Sequence, residues 1–239
     1  STTFFATIAK FTTVIALLRL FAGLIIGWPG IEKIFLLIAI ASLIVGSFGA
    51  IFQKNIKRLL AYSSIGHIGY VLVGIAAGSP EGVAGVATYL AIYLVTSFGA
   101  FACVLAMNRN GRYLEDINEL AGLSRTNPAL AFAFAMLMFS LAGVPPLAGF
   151  FAKWYVFLAA VNAKLYPLAV IGVVTSVVGA YYYLRIVKII YFDEPREAFT
   201  PAPVAIRFVA SVAAILVLAF VLAPAPLVNA ASLAAKSLF

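Results

Sequence analysis

The stretch Ser140-Leu-Ala-Gly-Val-Pro-Pro-Leu-Ala-Gly-Phe-Phe-Ala-Lys153 decides the fold, because it interrupts a helix within a long apolar segment. Pro145 and Pro146 remove two backbone donors and clash with the preceding turn, while Gly143 and Gly149 let the chain bend on either side. In a membrane, every freed backbone group must be packed in protein or line a wet cavity. The stretch therefore predicts a helix break inside a membrane protein.

Lys153 follows the break at a distance of two helical turns and is flanked by apolar residues. A lysine at membrane depth costs roughly 2.5–3.5 kcal/mol on insertion scales and marks a functional site by default. A broken helix followed by a buried cation indicates an ion or proton pathway.

The composition excludes a soluble globular domain. Of 239 residues, 64% are hydrophobic and 10% are charged, with a mean hydropathy of +1.11. Apolar runs long enough to cross a bilayer recur about seven times. We expect an all-α polytopic membrane protein with one helix broken at Pro145 and Pro146, and with spans at residues 2–27, 34–52, 59–77, 83–107, 128–161, 167–191 and 204–222.

The net charge of +8 does not indicate nucleic-acid binding, because the cations lie at helix ends and in short loops rather than in a basic stripe. Such cations are topology signals that face lipid headgroups. Those predicted to lie on the cytoplasmic or matrix side are Lys54, Lys57, Arg58, Arg109, Arg112, Arg125, Arg185, Lys188, Arg196 and Arg207. The single cysteine, Cys103, cannot form a disulfide within the chain.

Three titratable residues are predicted at membrane depth: Lys10, His67 and Lys153. Histidine takes up and releases protons near neutral pH, so His67 fits a relay, although a packing role stays open. Arg19 is expected to reach the interface instead. Every acidic residue falls outside the apolar spans, which suggests that a counter-ion comes from another chain.

Tyrosines and small hydroxyls also occur in the spans. Tyr89 and Thr96 either face a polar interior or join helices by hydrogen bonds. The run Tyr181-Tyr-Tyr-Leu-Arg185 is interpreted as an anchor in the headgroup region.

Three stretches together resemble a known family. Asn55-Ile-Lys-Arg-Leu-Leu-Ala-Tyr-Ser-Ser-Ile-Gly-His-Ile-Gly-Tyr70, Ser140 to Tyr155 and Ala180-Tyr-Tyr-Tyr-Leu-Arg185 are similar to the antiporter-like subunits of proton-pumping NADH:quinone oxidoreductase, respiratory complex I. The first motif is shared with cation/proton antiporters. The triple tyrosine and the lysine after the break favour the N-type subunit, called subunit 2 in mitochondria.

The resemblance implies the second half of a fourteen-helix fold with two inverted repeats. Residues 1–28 would be the last helix of the first repeat, 32–191 the second five-helix repeat and 203–229 a final transmembrane helix. The glutamate and lysine of the first repeat have no counterpart here. The resemblance therefore implies either a separate chain that supplies the first repeat or a fragment.

The resemblance also assigns roles. Lys10 matches a central-axis lysine, His67 a polar axis position and Lys153 the lysine that leads to the outer exit. The chain would pass protons through these residues and water, beside other membrane-arm subunits. It would hold no cofactor, with FMN, iron-sulfur clusters and quinone expected in other subunits. The expected location is the mitochondrial inner membrane, with a bacterial plasma membrane as the alternative.

Other functions remain open on sequence grounds. A subunit of a multi-chain sodium/proton antiporter or a membrane-bound hydrogenase would share the lysines. A structural half-subunit that no longer pumps is a further possibility, against which Lys10 and Lys153 argue. A seven-helix retinal protein would need a lysine in its last span, which this chain lacks.

Overall fold

The computed structural model describes residues 9–27, 30–109 and 111–237, with all their side chains except those of residues 10, 20–27 and 32. In this part the chain folds into α-helices joined mostly by short loops. They are α1 (Lys10–Gly27), α2 (Ile31–Ile51), α3 (Ile56–Ala76), α4 (Pro80–Ala106), α5 (Leu123–Thr126), α6 (Pro128–Ala142), α7 (Ala148–Asn162), α8 (Tyr166–Phe192), α9 (Val204–Ala219) and α10 (Ala225–Lys236).

Polar residues cap the starts of two long helices, α3 and α4. The Asn55 side chain accepts bonds from the N–H groups of Lys57 and Arg58 at the start of α3, at 3.0 and 3.1 Å. Ser79 caps α4 in the same way, and Pro80 follows at a position where no backbone donor is needed. These caps place the helix ends where the apolar runs begin.

The long loop between α4 and α5 carries the small non-helical elements. A two-residue hairpin pairs β1 (Asn108–Arg109) with β2 (Arg112–Tyr113), and a 3-10 turn follows at Ile117–Leu120. This loop therefore consists of a hairpin and a turn, and Ile117 and Leu120 are fully buried.

The helices α3 and α4 form the centre of the bundle. Most of their residues are buried, and α4 packs against α7, α9 and α10 while α2 packs against α3 and α8. Close approach of α2 and α3 depends on glycine, because a Cβ on Gly46 would collide with the backbone of Gly66. The site described below lies inside this packing.

Within the described residues, five helices are long and apolar enough to cross a membrane: Lys33–Ile51, Ile56–Ala76, Pro80–Ala106, Tyr166–Phe192 and Val204–Leu222. The predicted broken span is present as α6 and α7, of 15 residues each. The all-α polytopic membrane fold is confirmed.

One boundary differs from the expectation. Residues 203–229 contain α9, a 3-10 turn at Phe220–Leu222 and the start of α10, so they are not one helix. Pro224 and Pro226 explain the difference, because Pro226 stands in the first turn of α10, where proline needs no helical donor. The predicted first span begins among residues 1–8, which lie outside the described residues.

Candidate functional site

The break after α6 is closed by the backbone. Gly143 follows Ala142 at φ 85°, a left-handed conformation that glycine adopts without a steric cost. Its N–H donates to the Phe139 carbonyl at 3.1 Å, and the N–H of Val144 donates to the same carbonyl at 3.0 Å. Pro145 and Pro146 then separate the two half-helices. The chain therefore turns while the Phe139 carbonyl stays hydrogen-bonded.

Gly149 has a different role from the one expected. It is the second residue of α7 and does not bend the chain. Its N–H donates to the Ser140 hydroxyl at 3.1 Å, and a Cβ at this position would collide with the Ser140 carbonyl. Gly149 therefore allows the two half-helices to touch, which corrects its interpretation as a hinge.

Lys153 lies in the middle of α7 and is only 6% exposed. Its Nζ donates to the carbonyl of Ala142 and to the hydroxyl of Ser176, both at 2.8 Å. Ala142 is the last residue of α6, so the cation meets the negative end of that helix and satisfies a carbonyl that has no partner within it. The break thus creates the acceptor that holds Lys153.

A tyrosine ring and further hydroxyls complete the surroundings of Lys153. The Nζ lies 5.0 Å from the centre of the Tyr70 ring, within range of a cation–π contact. Next to Ser176, the Thr175 carbonyl accepts a hydrogen bond from the Ser47 hydroxyl at 3.2 Å. Lys153 therefore has one hydroxyl partner, Ser176, that can both donate and accept a hydrogen bond.

His67 lies in α3 and is also 6% exposed. Its Nδ1 is 2.6 Å from the Tyr89 hydroxyl, and its Nε2 is 3.0 Å from the Tyr183 hydroxyl. Tyr183 is also hydrogen-bonded to Ser63. Because a tyrosine hydroxyl can donate or accept, this arrangement accommodates the neutral and the protonated imidazole.

Tyr70 stands between the two clusters. Its ring meets the His67 ring edge-on, with centroids 6.0 Å apart, and lies 6.2 Å from the Tyr89 ring and 5.0 Å from the Lys153 Nζ. A small cavity of about 10 Å³ lies beside His67, lined also by Thr96, Ser140 and Gly149. That volume is close to the minimum for one water molecule, so a single water here would join His67 to the break.

The structure thus brings two of the three predicted residues, His67 and Lys153, into one buried polar region. The side chain of Lys10 lies outside the described residues.

The sequence analysis did not predict Ser176 as a site residue, and it left the role of Tyr89 open. It misplaced Tyr182 and Tyr183 as headgroup anchors, although they are 4% and 1% exposed; Tyr181, at 60% exposed, faces outward. Because successive residues of a helix point about 100° apart, a run of tyrosines cannot share one environment.

Comparison with known proteins shows the family to which the chain belongs. Residues 1–179 match the family described as NADH:quinone oxidoreductase/Mrp antiporter, transmembrane. The chain is 56% identical over 242 residues to NADH-quinone oxidoreductase subunit N of Methylobacterium nodulans, a match that covers 100% of this chain and 50% of the relative. The subunit N of Paramagnetospirillum magneticum is 55% identical, over 100% of this chain and 49% of its own length.

Solved structures show the same architecture. A chain of respiratory complex I from Thermus thermophilus matches with a TM-score of 0.73 and 37% identity, over 82% of this chain and 45% of its own length. A chain of the Mrp complex from Dietzia sp. matches with a TM-score of 0.77 and 25% identity, over 87% and 47%. This chain spans about half the length of the curated relatives it matches.

Proposed function

Because the chain belongs to the NADH:quinone oxidoreductase/Mrp antiporter membrane family and corresponds to part of a subunit N, we propose that it conducts protons in the membrane arm of NADH:quinone oxidoreductase. The observation that carries this proposal is Lys153, buried at the helix break with Ser176 and the Ala142 carbonyl as its partners.

The proposed relay uses groups that can reverse their hydrogen bonds. A protonated Lys153 donates to Ser176, and a neutral Lys153 accepts from the same hydroxyl, so a proton can arrive and leave without a change of partner. His67 between Tyr89 and Tyr183 has the same property. Water beside His67 and the Tyr70 hydroxyl would carry the proton between them.

The proposed direction follows the sequence-based expectation. A proton enters from the cytoplasmic side, rests near His67, moves to Lys153 and is released at the opposite face. Moving one charge against 100 mV costs about 2.3 kcal/mol, which changes of charge in neighbouring subunits would supply. Lys10 as a further axis residue, and FMN, iron-sulfur clusters and quinone in other subunits, remain predictions.

The test is NADH-driven proton uptake in membrane vesicles that contain the complex with Lys153→Met. We expect proton uptake per NADH oxidised to fall severalfold, because a thioether cannot carry a proton. The matched control is Lys54→Met, since Lys54 is exposed before α3. Equal proton uptake per NADH in both variants would contradict the proposal.

A second candidate function, as a subunit of a multi-chain sodium/proton antiporter, is supported by one observation. This observation is the TM-score of 0.77 to a chain of the Mrp complex. In that case the same lysine would serve sodium/proton exchange. Sodium-dependent proton movement in the absence of NADH would favour this alternative; sodium-independent, NADH-driven uptake would favour the first.

The named relatives are all bacterial, which supports the bacterial plasma membrane as the location. The mitochondrial inner membrane gains no support from them.

A further inference from the structure

A large cavity lies between the first turns of α6 and α9, at the other end of α6 from the carbonyl that Lys153 contacts. It has a volume of about 620 Å³, within the usual range of small-molecule sites. Its lining includes Thr126, Asn127 and Arg207 at the rim, near the helix ends, and an alanine wall formed by Ala133 and Ala210 further along α6 and α9. These two alanines are 7% and 2% exposed, so the cavity is polar at the helix ends and apolar further in.

The rim is positively charged. Ion pairs with carboxylates are formed by four nearby or remote cations of the described residues: Lys57, Arg109, Arg125 and Lys188. Arg207 belongs to none of these four ion pairs, and no carboxylate in the described part of the chain pairs with it. The first turn of α9 has no side-chain cap, so its free N–H groups add positive partial charge beside Arg207.

The cavity follows the first two turns of α6 and α9, a length that suits a headgroup and the beginning of an acyl chain. Along α6 the lining runs from Asn127 to Ala133, and along α9 from Val204 to Ser211, which is about 9–10 Å at 1.5 Å per residue. Since the rim lies at helix ends, it is at headgroup depth, and the alanine wall lies at the depth of the acyl chains.

We propose that this cavity binds one anionic phospholipid, with its phosphate at Arg207 and the start of α9 and the beginning of one acyl chain against the alanine wall. The site is independent of the proton relay, because none of its lining residues belongs to the clusters around His67 and Lys153. Basic pockets between membrane helices on the positively charged side are suited to such headgroups.

The test is native mass spectrometry of the purified complex after delipidation and incubation with phosphatidylglycerol or with phosphatidylcholine of the same acyl chains. We expect one phosphatidylglycerol adduct on this chain and a much weaker phosphatidylcholine adduct. Arg207→Ala should weaken phosphatidylglycerol binding about fivefold, the effect of one cation at a membrane surface. Arg196→Ala, which removes an exposed cation of the loop before α9 that does not line the cavity, should leave binding unchanged.

A second variant tests the location without altering charge. Ala129 is exposed and lines the cavity, so Ala129→Trp fills it without disturbing the core, and should displace the lipid. Three results would overturn the proposal: equal binding of the two lipids, an equal loss in Arg196→Ala, or unchanged binding in Ala129→Trp. If a neighbouring polypeptide fills the cavity instead of a lipid, lipid binding would be unchanged in Ala129→Trp.

Discussion

At the scale of single residues, the site depends on hydroxyl groups as much as on its two basic side chains. The hydroxyls of Tyr89 and Tyr183 are hydrogen-bonded to the two ring nitrogens of His67, and the Ser176 hydroxyl accepts a hydrogen bond from Lys153. Buried polar groups of this kind are costly unless paired. Among the described residues, every buried side-chain nitrogen and oxygen has a hydrogen-bond partner, so this cost is avoided, and the hydroxyl groups suit the proposed proton relay.

Tyr183→Phe tests this view. The change removes the hydroxyl between Ser63 and His67 while keeping the ring, so we expect a stability loss of about 0.5–1.5 kcal/mol and slower proton uptake. Thermal denaturation of the purified complex and NADH-driven proton uptake measure the two effects. Tyr181→Phe is the matched control, since Tyr181 is exposed, and a similar loss in both variants would contradict the assignment.

Ser176→Ala tests the other cluster. It removes one of the two acceptors of the Lys153 Nζ and leaves the Ala142 carbonyl in place. We expect proton uptake per NADH to fall while quinone reduction continues. Ser211→Ala, in a hydroxyl residue remote from the relay on α9, should have no effect.

The sequence identified His67 and Lys153 because basic residues in apolar spans stand out individually. It did not identify Ser176 or assign Tyr183, because hydroxyl residues are common in membrane helices and only tertiary packing shows which ones face a basic side chain. The Ala142 carbonyl has no sequence signal of its own. It becomes an acceptor because the helix ends there.

At the scale of elements, the break joins two half-helices in close contact. The N–H of Gly149 reaches Ser140, and the space that a side chain would need is occupied by the Ser140 carbonyl. The prolines were a reliable signal because their effect on a helix is local. The role of Gly149 was not predictable, since a glycine that bends a chain and one that allows close packing look alike in a sequence.

Gly149→Ala should therefore destabilise the break. We expect a loss of about 1–3 kcal/mol from overpacking, seen as a lower midpoint of thermal denaturation. The control is Gly179→Ala in α8, where the nearest atom to an added Cβ is the Tyr182 hydroxyl at 3.6 Å, an ordinary contact. Since alanine favours a helix over glycine, this second change should be neutral or stabilising, and the opposite ranking would contradict the account.

At the scale of the whole molecule, large apolar faces remain exposed. Leu37 on α2 and Val177 on α8 are 67% and 68% exposed, on helices that pack against each other. In a membrane such faces meet lipid or another polypeptide. The overall fold was predictable, because hydropathy marks spans well, whereas the covering of these faces depends on parts outside this chain.

We predict that purification from native membranes in a mild detergent retains NADH dehydrogenase subunits together with the missing first repeat, either as a separate chain or as a continuation of this one. Mass spectrometry of the purified complex identifies both. If Mrp antiporter subunits are retained instead, the family assignment stands, but the proposed role in NADH:quinone oxidoreductase is contradicted.

The most direct measurement of the central claim is proton uptake per NADH oxidised in His67→Gln, Lys153→Met and the double variant. If both residues lie on one path, each single change lowers uptake severalfold and the double variant is no worse than the lower single one. Independent sites would give losses that multiply in the double variant. That result, or full uptake in either single variant, would contradict a relay that joins His67 to Lys153.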